Sequence, residues 1–481
     1  MANSILNVSK KTRQFISSNK IDKALKLISK IVENVTDTPV CTAQIFGSKT
    51  LDKLCLEIGA KTLESLSTSN IDKPQETTEK KITFIYIASR IQNSGGHTKV
   101  IESFIKLRPT AKHVVLLTGL FGRSSIDYFL SCFSSVHDVS VEASPSKNWT
   151  KTLLWLQQKL LMLKAEKYYL FNHHQDSVSI AAAQPQLGSG VFYHHGDHHL
   201  CLGVYLSHLE HVDIHPMGFH LCREELQINN TYLPLSTEDL LMTRSEKKLF
   251  KPAGYLTTCT AARFNKLEQP YIFNYINLIP ELLKVTKGKH VHIGTLTPWS
   301  RLKLYLILKK NRIPTDSFVY IPWVQSVWKT LIDQKIDLYI ASFPFGGGLT
   351  LIEAMGSATP VVIHKHIFSR LLGGYDMVPK DVLAWRYPQD LMDYVANLDS
   401  NQLKKLSKSV REHYLQYYQK SIAESILIGH TKNCALPPKN NIPFDISQED
   451  WALWVVEQNK FKHKFPRFLL RLLKKIKRSF P

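Results

Sequence analysis

At 481 residues, 44% of them hydrophobic, the chain is long enough for two or three domains, and no run nears the roughly 18 apolar residues of a membrane span. The start MANSILNVSKKTRQ lacks the apolar core of a signal peptide, and the 7 scattered cysteines form no CxxC pair, so a cytoplasmic protein with reduced thiols is expected rather than a disulfide framework or a structural zinc site. The net charge of +21 points to an anionic partner: nucleic acid, phospholipid headgroups or a phosphorylated substrate.

Residues 1–78 read as a helical segment followed by a linker. Ala24, Leu25, Leu27, Ile28 and Ile31 recur at helical spacing, and the polar run SLSTSNIDKPQETTEKK follows. A helical cap or partner-docking role is expected for this segment. From 79 to 245 the pattern alternates between strand and helix. KITFIYIA is a strand, and Gly95 and Gly96 form the turn after it, where a first βα loop meets its ligand. Further strands are predicted at 113–118, 139–142, 168–172, 190–193 and 212–214, with a helix over 149–166.

A second alternation fills 246–400. AGYLTTCT, KHVHIG and SFVYIP read as strands, with helices over 278–285, 299–310 and 325–334. A long helix is expected over 401–429, within a segment 401–435, and 436–481 closes the chain. Strands alternating with helices on this scale predict an α/β fold with two Rossmann-like parallel sheets, and such folds bind ligands at the carboxyl ends of their strands. No period of 20 to 50 residues repeats, which argues against a solenoid.

The stretch 337–364, DLYIASFPFGGGLTLIEAMGSATPVVIH, reads as strand, Pro/Gly turn, helix and strand. Gly346, Gly347 and Gly348 let a ligand approach the backbone closely, with the helix from Leu349 offering its first N–H groups to a diphosphate. Glu353 lies about a turn further in, placed to accept from ribose hydroxyls. The bland alternative is a turn packed on a sheet with Glu353 in solvent.

Through Gly346, Gly348, Leu349, Glu353, Ala354, Met355, Gly356, Pro360 and Val361 the stretch resembles the E-x7-E donor-binding motif of GT-B glycosyltransferases of the family 4 type. Phe345 stands where that motif has its first Glu, so the resemblance leaves donor sugar and stereochemical outcome open. The Pro-Phe-Gly turn also looks like that of HMW1C-type bacterial protein glycosyltransferases. The resemblance implies a GT-B architecture, with an acceptor domain at 79–245, a donor domain at 246–400, a cleft between them and a crossover helix at 401–435. It implies no metal requirement, with a nucleotide-diphosphate sugar as substrate and no separate cofactor. Arg263 and Lys266 match the basic residues that grip the donor diphosphate in that family. His292 and Gly294 end the neighbouring strand, where they can line a nucleotide pocket.

Of the 20 histidines about half fall between 173 and 220, in NHHQD and YHHGDHHLCLG at two strand ends. An inverting transfer needs a base for the acceptor hydroxyl, and imidazole titrates near neutrality. The second run resembles the HHADH…LG pattern of some bacterial glycosyltransferases, with Gly196 in place of Ala. His195 and His198 are the candidate catalytic residues, with Asp197 orienting one imidazole. The competing reading takes Asp197, His198 and His199 as the DHH of a metal-dependent phosphoesterase, but no Asp-x-Asp precedes it. No metal site is assigned.

In the tail, Phe465, Phe468, Leu469, Leu472, Leu473, Ile476 and Phe480 share one helical arc, with Arg467, Arg471, Lys474, Lys475, Lys477 and Arg478 opposite. A basic amphipathic helix of this kind lies in an anionic membrane interface, although docking on the protein's own body also uses such a face. Nucleic acid is not expected as a partner, because no reading module accompanies the charge.

Together these features point to a glycosyltransferase peripheral to the cytoplasmic membrane, acting on a lipid-linked saccharide of capsule or lipopolysaccharide. A protein glycosyltransferase, a phosphoesterase and a non-catalytic nucleotide-sugar binder are the alternatives. Deleting 465–481 is expected to abolish flotation with anionic liposomes; unchanged flotation would remove the membrane role.

Overall fold

Apolar runs buried on both faces are the mark of parallel strands covered by helices, and they build two sheets here. In this computed structural model the described residues are 4–67, 81–92, 96–133, 136, 138–244, 250–428, 436–440 and 447–460. Gly95, the linker 68–80 and the basic tail 465–481 lie outside them. The chain divides into two units. The first comprises Met1–Ile214, Gly218–Leu233 and Glu424–Lys432; the second comprises His215–Met217, Pro234–Ala423 and Asn433–Pro481.

The first unit holds β1 (Thr83–Ala88), β2 (Lys112–Leu117), β3 (Val139–Ala143), β4 (Lys167–Phe171), β5 (Gly190–His194), β6 (Glu210–Asp213) and β7 (Asn230–Tyr232). All pairings are parallel, in the order β3-β2-β1-β4-β5-β6-β7. The order reverses between β1 and β4, which is the switch point where doubly wound sheets take their ligands.

The N-terminal helices are a layer of this unit and not an appended cap. In helix Ile21–Thr36 the buried side chains Ile21, Ala24, Leu25, Ile28 and Val32 fall on one stripe. They share a core with Ile85, Ile87, Val114, Leu116, Leu170 and Phe192 of the sheet. Asp52, in helix Lys49–Ser67, accepts from the backbone N–H groups of Gly203 and Tyr205 at 2.8 and 2.9 Å. Asp22 accepts from the N–H of Trp149 at 3.0 Å, at the start of helix Trp149–Leu163. These contacts join residues far apart in sequence, so local periodicity carries no sign of them.

The second unit holds β8 (Thr258–Ala261), β9 (His290–Ile293), β10 (Phe318–Ile321), β11 (Leu338–Ile340), β12 (Val361–His364) and β13 (Ala384–Trp385). They pair in parallel in the order β10-β9-β8-β11-β12-β13, with the reversal between β8 and β11. Helix Ser400–Tyr417 starts in a capping box, with Asp399 and Gln402 exchanging 2.8 Å bonds. Its Ser407 and Arg411 then bind the carbonyls of Ala358 and Gly356 at 2.6 and 2.7 Å.

The single helix expected over 401–429 is two. Thr237 pairs with Gln419, accepting from Lys420 N at 3.0 Å and donating to Tyr418 O at 3.2 Å, so the helix stops there and Lys420–Leu427 begins anew. The later helix Gln448–Asn459 is fixed by Trp454, which donates to Pro270 O at 3.0 Å and packs on Phe368. Among the described residues no helix is long and apolar enough to cross a membrane.

Helix Lys49–Ser67 approaches its neighbour so closely that a Cβ on Gly59 would stand 1.8 Å from Ala181 O. Gly59→Ala is therefore expected to lower stability by about 1–3 kcal/mol or more, read as a urea midpoint. An unchanged midpoint would show that the helix does not pack there.

Candidate functional site

At the switch point of the second sheet, the loop after β8 and the turn after β11 come together. Lys266, in the short helix Phe264–Leu267, donates from Nζ to Gly346 O at 2.9 Å. Burial pulls its ammonium down to about 8. Gly347 is the N-cap of helix Gly348–Gly356 and supplies no side-chain cap, so the first N–H groups of that helix are left for another acceptor.

All three glycines are tightly placed. A Cβ would meet Leu372 O at 2.9 Å from Gly346, Thr350 Oγ1 at 2.5 Å from Gly347, and His215 Nε2 at 3.0 Å from Gly348. Leu349 is half-buried behind them. Free backbone N–H groups at a helix start with one lysine beside them are an arrangement that can receive an anion. His215 is a neighbour that the sequence reading passed over, because it lies in another segment. Gly356 is explained by packing: its missing Cβ admits the ring of Trp328, which would lie at 2.1 Å.

Glu353 is half-buried and accepts from the backbone N–H groups of Val327 and Trp328 at the start of helix Val327–Asp333. Burial nevertheless pushes its carboxyl up to about 7. Two N–H bonds leave part of the carboxylate's acceptor capacity for further donors. Arg263 is exposed at the N-cap of Phe264–Leu267.

His292 does not line a pocket. It is fully buried, bonded through Nδ1 to Tyr275 Oη at 2.8 Å and stacked on Tyr320, and burial lowers its pKa to about 4. His290 reaches the same hydroxyl at 2.9 Å, as expected of residues two apart on one strand face. Gly294 has φ +118°, and a Cβ there would stand 2.2 Å from Ala262 O, so close backbone approach accounts for it.

In the first unit, histidines gather at the carboxyl ends of the adjacent strands β1, β4 and β5. His97, in the first turn of helix Gly96–Lys106, lies 3.6 Å centroid to centroid from His195 and 6.3 Å from His173; His174 is 5.8 Å from His195. Burial, with neighbouring imidazoles next, holds the rings of His97, His174 and His195 below their usual range and so neutral near pH 7. His195 Nδ1 lies 3.4 Å from Tyr193 O, which sets the tautomer with the N–H there. Its buried Nε2 has no hydrogen-bond partner among the described residues and carries the lone pair. His97 was missed by the sequence reading, although GGH after a strand was its signal.

His198 bonds Asp197 through Nδ1 at 3.2 Å, and Asp197 is buried against Gly218. Gly196 departs from the Ala of the related pattern for a local reason: a Cβ would stand 2.2 Å from His174 Nε2. Among the described residues, Asp197, His198 and His199 do not gather into a metal-binding group.

No protein-family model matches the chain. No curated protein matches it either. Solved structures do. A glycosyltransferase from Rickettsia africae ESF-5 aligns with TM-score 0.55 and 11% identity over 73% of this chain and 100% of its own. Anabaena HepE, solved with UDP, gives 0.54 and 12% over 73% and 99%. The lipopolysaccharide outer core galactosyltransferase WaaB, in its apo form, gives 0.52 and 12% over 73% and 98%. At these identities the likeness is one of fold, and it bears out the expected pair of Rossmann-like domains.

Glu353 supplies a pH test. Its folded pKa of about 7 exceeds the ordinary value of 4.5, so its contribution to stability is complete below about 4.5 and lost as pH rises through about 7. Wild type is therefore expected to lose stability relative to Glu353→Gln between about pH 5 and 8, in urea titrations at each pH. A flat difference would contradict the shift.

Proposed function

We propose that this chain is a glycosyltransferase that moves a sugar from a nucleotide-diphosphate donor to an acceptor hydroxyl. One observation carries the reading: Lys266, the turn Gly346–348 and an uncapped helix start converge at the switch point of the second sheet. The second unit holds the donor, with the diphosphate at the helix start beside Lys266 and the ribose on Glu353. As the bond between the anomeric carbon and the leaving oxygen breaks, charge builds on the nucleoside diphosphate, and these groups stabilise it. The first unit supplies the base, with His195 Nε2 taking the proton of the attacking hydroxyl. Structures of similar fold bear glycosyltransferase names, and HepE was solved with UDP.

The acceptor in this proposal is a lipid-linked saccharide of surface polysaccharide, reached by a protein held to the cytoplasmic membrane face. The basic amphipathic pattern of 465–480 supports that part of the reading.

Thermal shifts with UDP-, GDP-, ADP- and CMP-sugars identify the donor, since a bound ligand stabilises by mass action. Lys266→Ala is expected to weaken that donor roughly 10- to 100-fold by loss of a charge-assisted bond. His195→Ala should leave the donor shift intact and slow transfer roughly 100-fold or more. If no nucleotide sugar shifts the protein, the donor site is wrong; if His195→Ala turns over normally, the base is.

A further inference from the structure

Next to the candidate base His195, and turned to other partners, His194 at the end of β5, His211 and Asp213 of β6, and Cys222 form a four-residue cluster whose ligand atoms all lie within 4.8 Å of one another. His194, Asp213 and Cys222 are 0% exposed and His211 is 4% exposed. His194 Nδ1 stands 2.9 Å from Asp213 Oδ1, 3.3 Å from His211 Nε2 and 3.6 Å from Cys222 Sγ. Cys222 Sγ is 3.5 Å from Asp213 Oδ1, and His211 Nε2 is 3.4 Å from Asp213 Oδ2. Ligands at about 2.0–2.1 Å for nitrogen and oxygen and about 2.3 Å for sulfur put tetrahedral neighbours roughly 3.3–3.6 Å apart. The separations among His194 Nδ1, His211 Nε2, Cys222 Sγ and Asp213 fall at or near that range, except the 2.9 Å hydrogen bond between His194 and Asp213, which has to lengthen to admit a metal.

Charge leads to the same place. Asp213 is a wholly buried carboxylate, and among the described residues its ion-pair partners are His194 and His211, with no lysine or arginine. Such a carboxylate requires a compensating positive charge. A divalent cation with Asp213, a Cys222 thiolate and two neutral imidazoles is electrically balanced, the thiol proton leaving to solvent on binding. The surroundings suit ligands. Asn230 Nδ2 donates to Asp213 Oδ2 at 2.6 Å, and the His211 ring also bonds the Val204 backbone, which fixes its orientation. Cys222 sits in the π-helical turn Leu221–Glu225, an irregularity that aims side chains at functional positions.

We propose that His194, His211, Asp213 and Cys222 bind one zinc-like divalent cation that staples β5, β6 and the π-turn. With four protein ligands the site is closed, which makes it structural and not hydrolytic. It is also independent of the sugar-transfer reading.

The full chain, expressed with zinc and purified without chelator, is expected to carry about one zinc per molecule by plasma mass spectrometry. Chelator treatment should lower its melting temperature. Added cobalt(II) should then restore the melting temperature and give a thiolate-to-cobalt charge-transfer band that Cys222→Ser lacks and His211→Asn weakens. Metal-free protein whose folded wild type takes up neither zinc nor cobalt would overturn the site, as would a cobalt spectrum unchanged in Cys222→Ser. Should the variants fail to fold, the wild-type cobalt titration still decides.

Discussion

The first unit depends on one wholly buried carboxylate. Asp176 accepts from Ser89 Oγ at 2.5 Å, from Thr118 Oγ1 at 3.0 Å and from the backbone N–H of Ser179 at 3.0 Å. Those donors come from the ends of β1 and β2 and from the helix that follows β4, so one side chain gathers the carboxyl edge of the sheet at its switch point. Ser89 in turn accepts from the N–H of His173 at 2.8 Å. The histidine cluster thus stands on a polar node whose every donor would be orphaned without it, at about 1–3 kcal/mol each. In the second unit the buried Asp337 ties the opposite, amino edge just ahead of β8 and β11, accepting from Arg244 at 2.7 Å and from the backbone N–H groups of Lys251 and Thr257 at 3.1 and 2.8 Å.

This constraint explains what could be read from the sequence. Strands in parallel sheets are buried on both faces, so β1, β2, β5, β9 and β12 announce themselves as apolar runs. The edge strands β7 and β13 are three and two residues long and carry no such pattern. The helix expected over 278–285 starts a turn earlier, at Tyr275, capped by Asn274, and Pro280 is accommodated inside it. The break at Tyr418 was hidden too, because Thr237, from more than 180 residues earlier, causes it.

The glycine turn was legible because Gly346, Gly347 and Gly348 stand together between a strand and a helix, whereas Lys266 reaches it from the loop after β8, 80 residues earlier. Glu353 was legible as a residue but not in its bonding, since its backbone partners come from another helix. His292 misled because a strand end suggests a pocket, whereas its face is shared with His290 and turned to Tyr275. The group around Asp213 escaped altogether. Residues 194, 211, 213 and 222 show no ligand spacing, and only the sheet register, with His194 beside Asp213, assembles them.

The division of the chain carries a consequence for its biogenesis. Residues 424–432 cluster with the first unit, and there Arg108 donates to Leu427 O at 2.6 Å. A ribosome that has delivered the first 233 residues has therefore not yet delivered that unit. Nearly two hundred further residues, including the whole second sheet, must emerge before the missing piece arrives. Until then Arg108 lacks the carbonyl it binds in the folded chain, so the first unit can close only after the second sheet has been made.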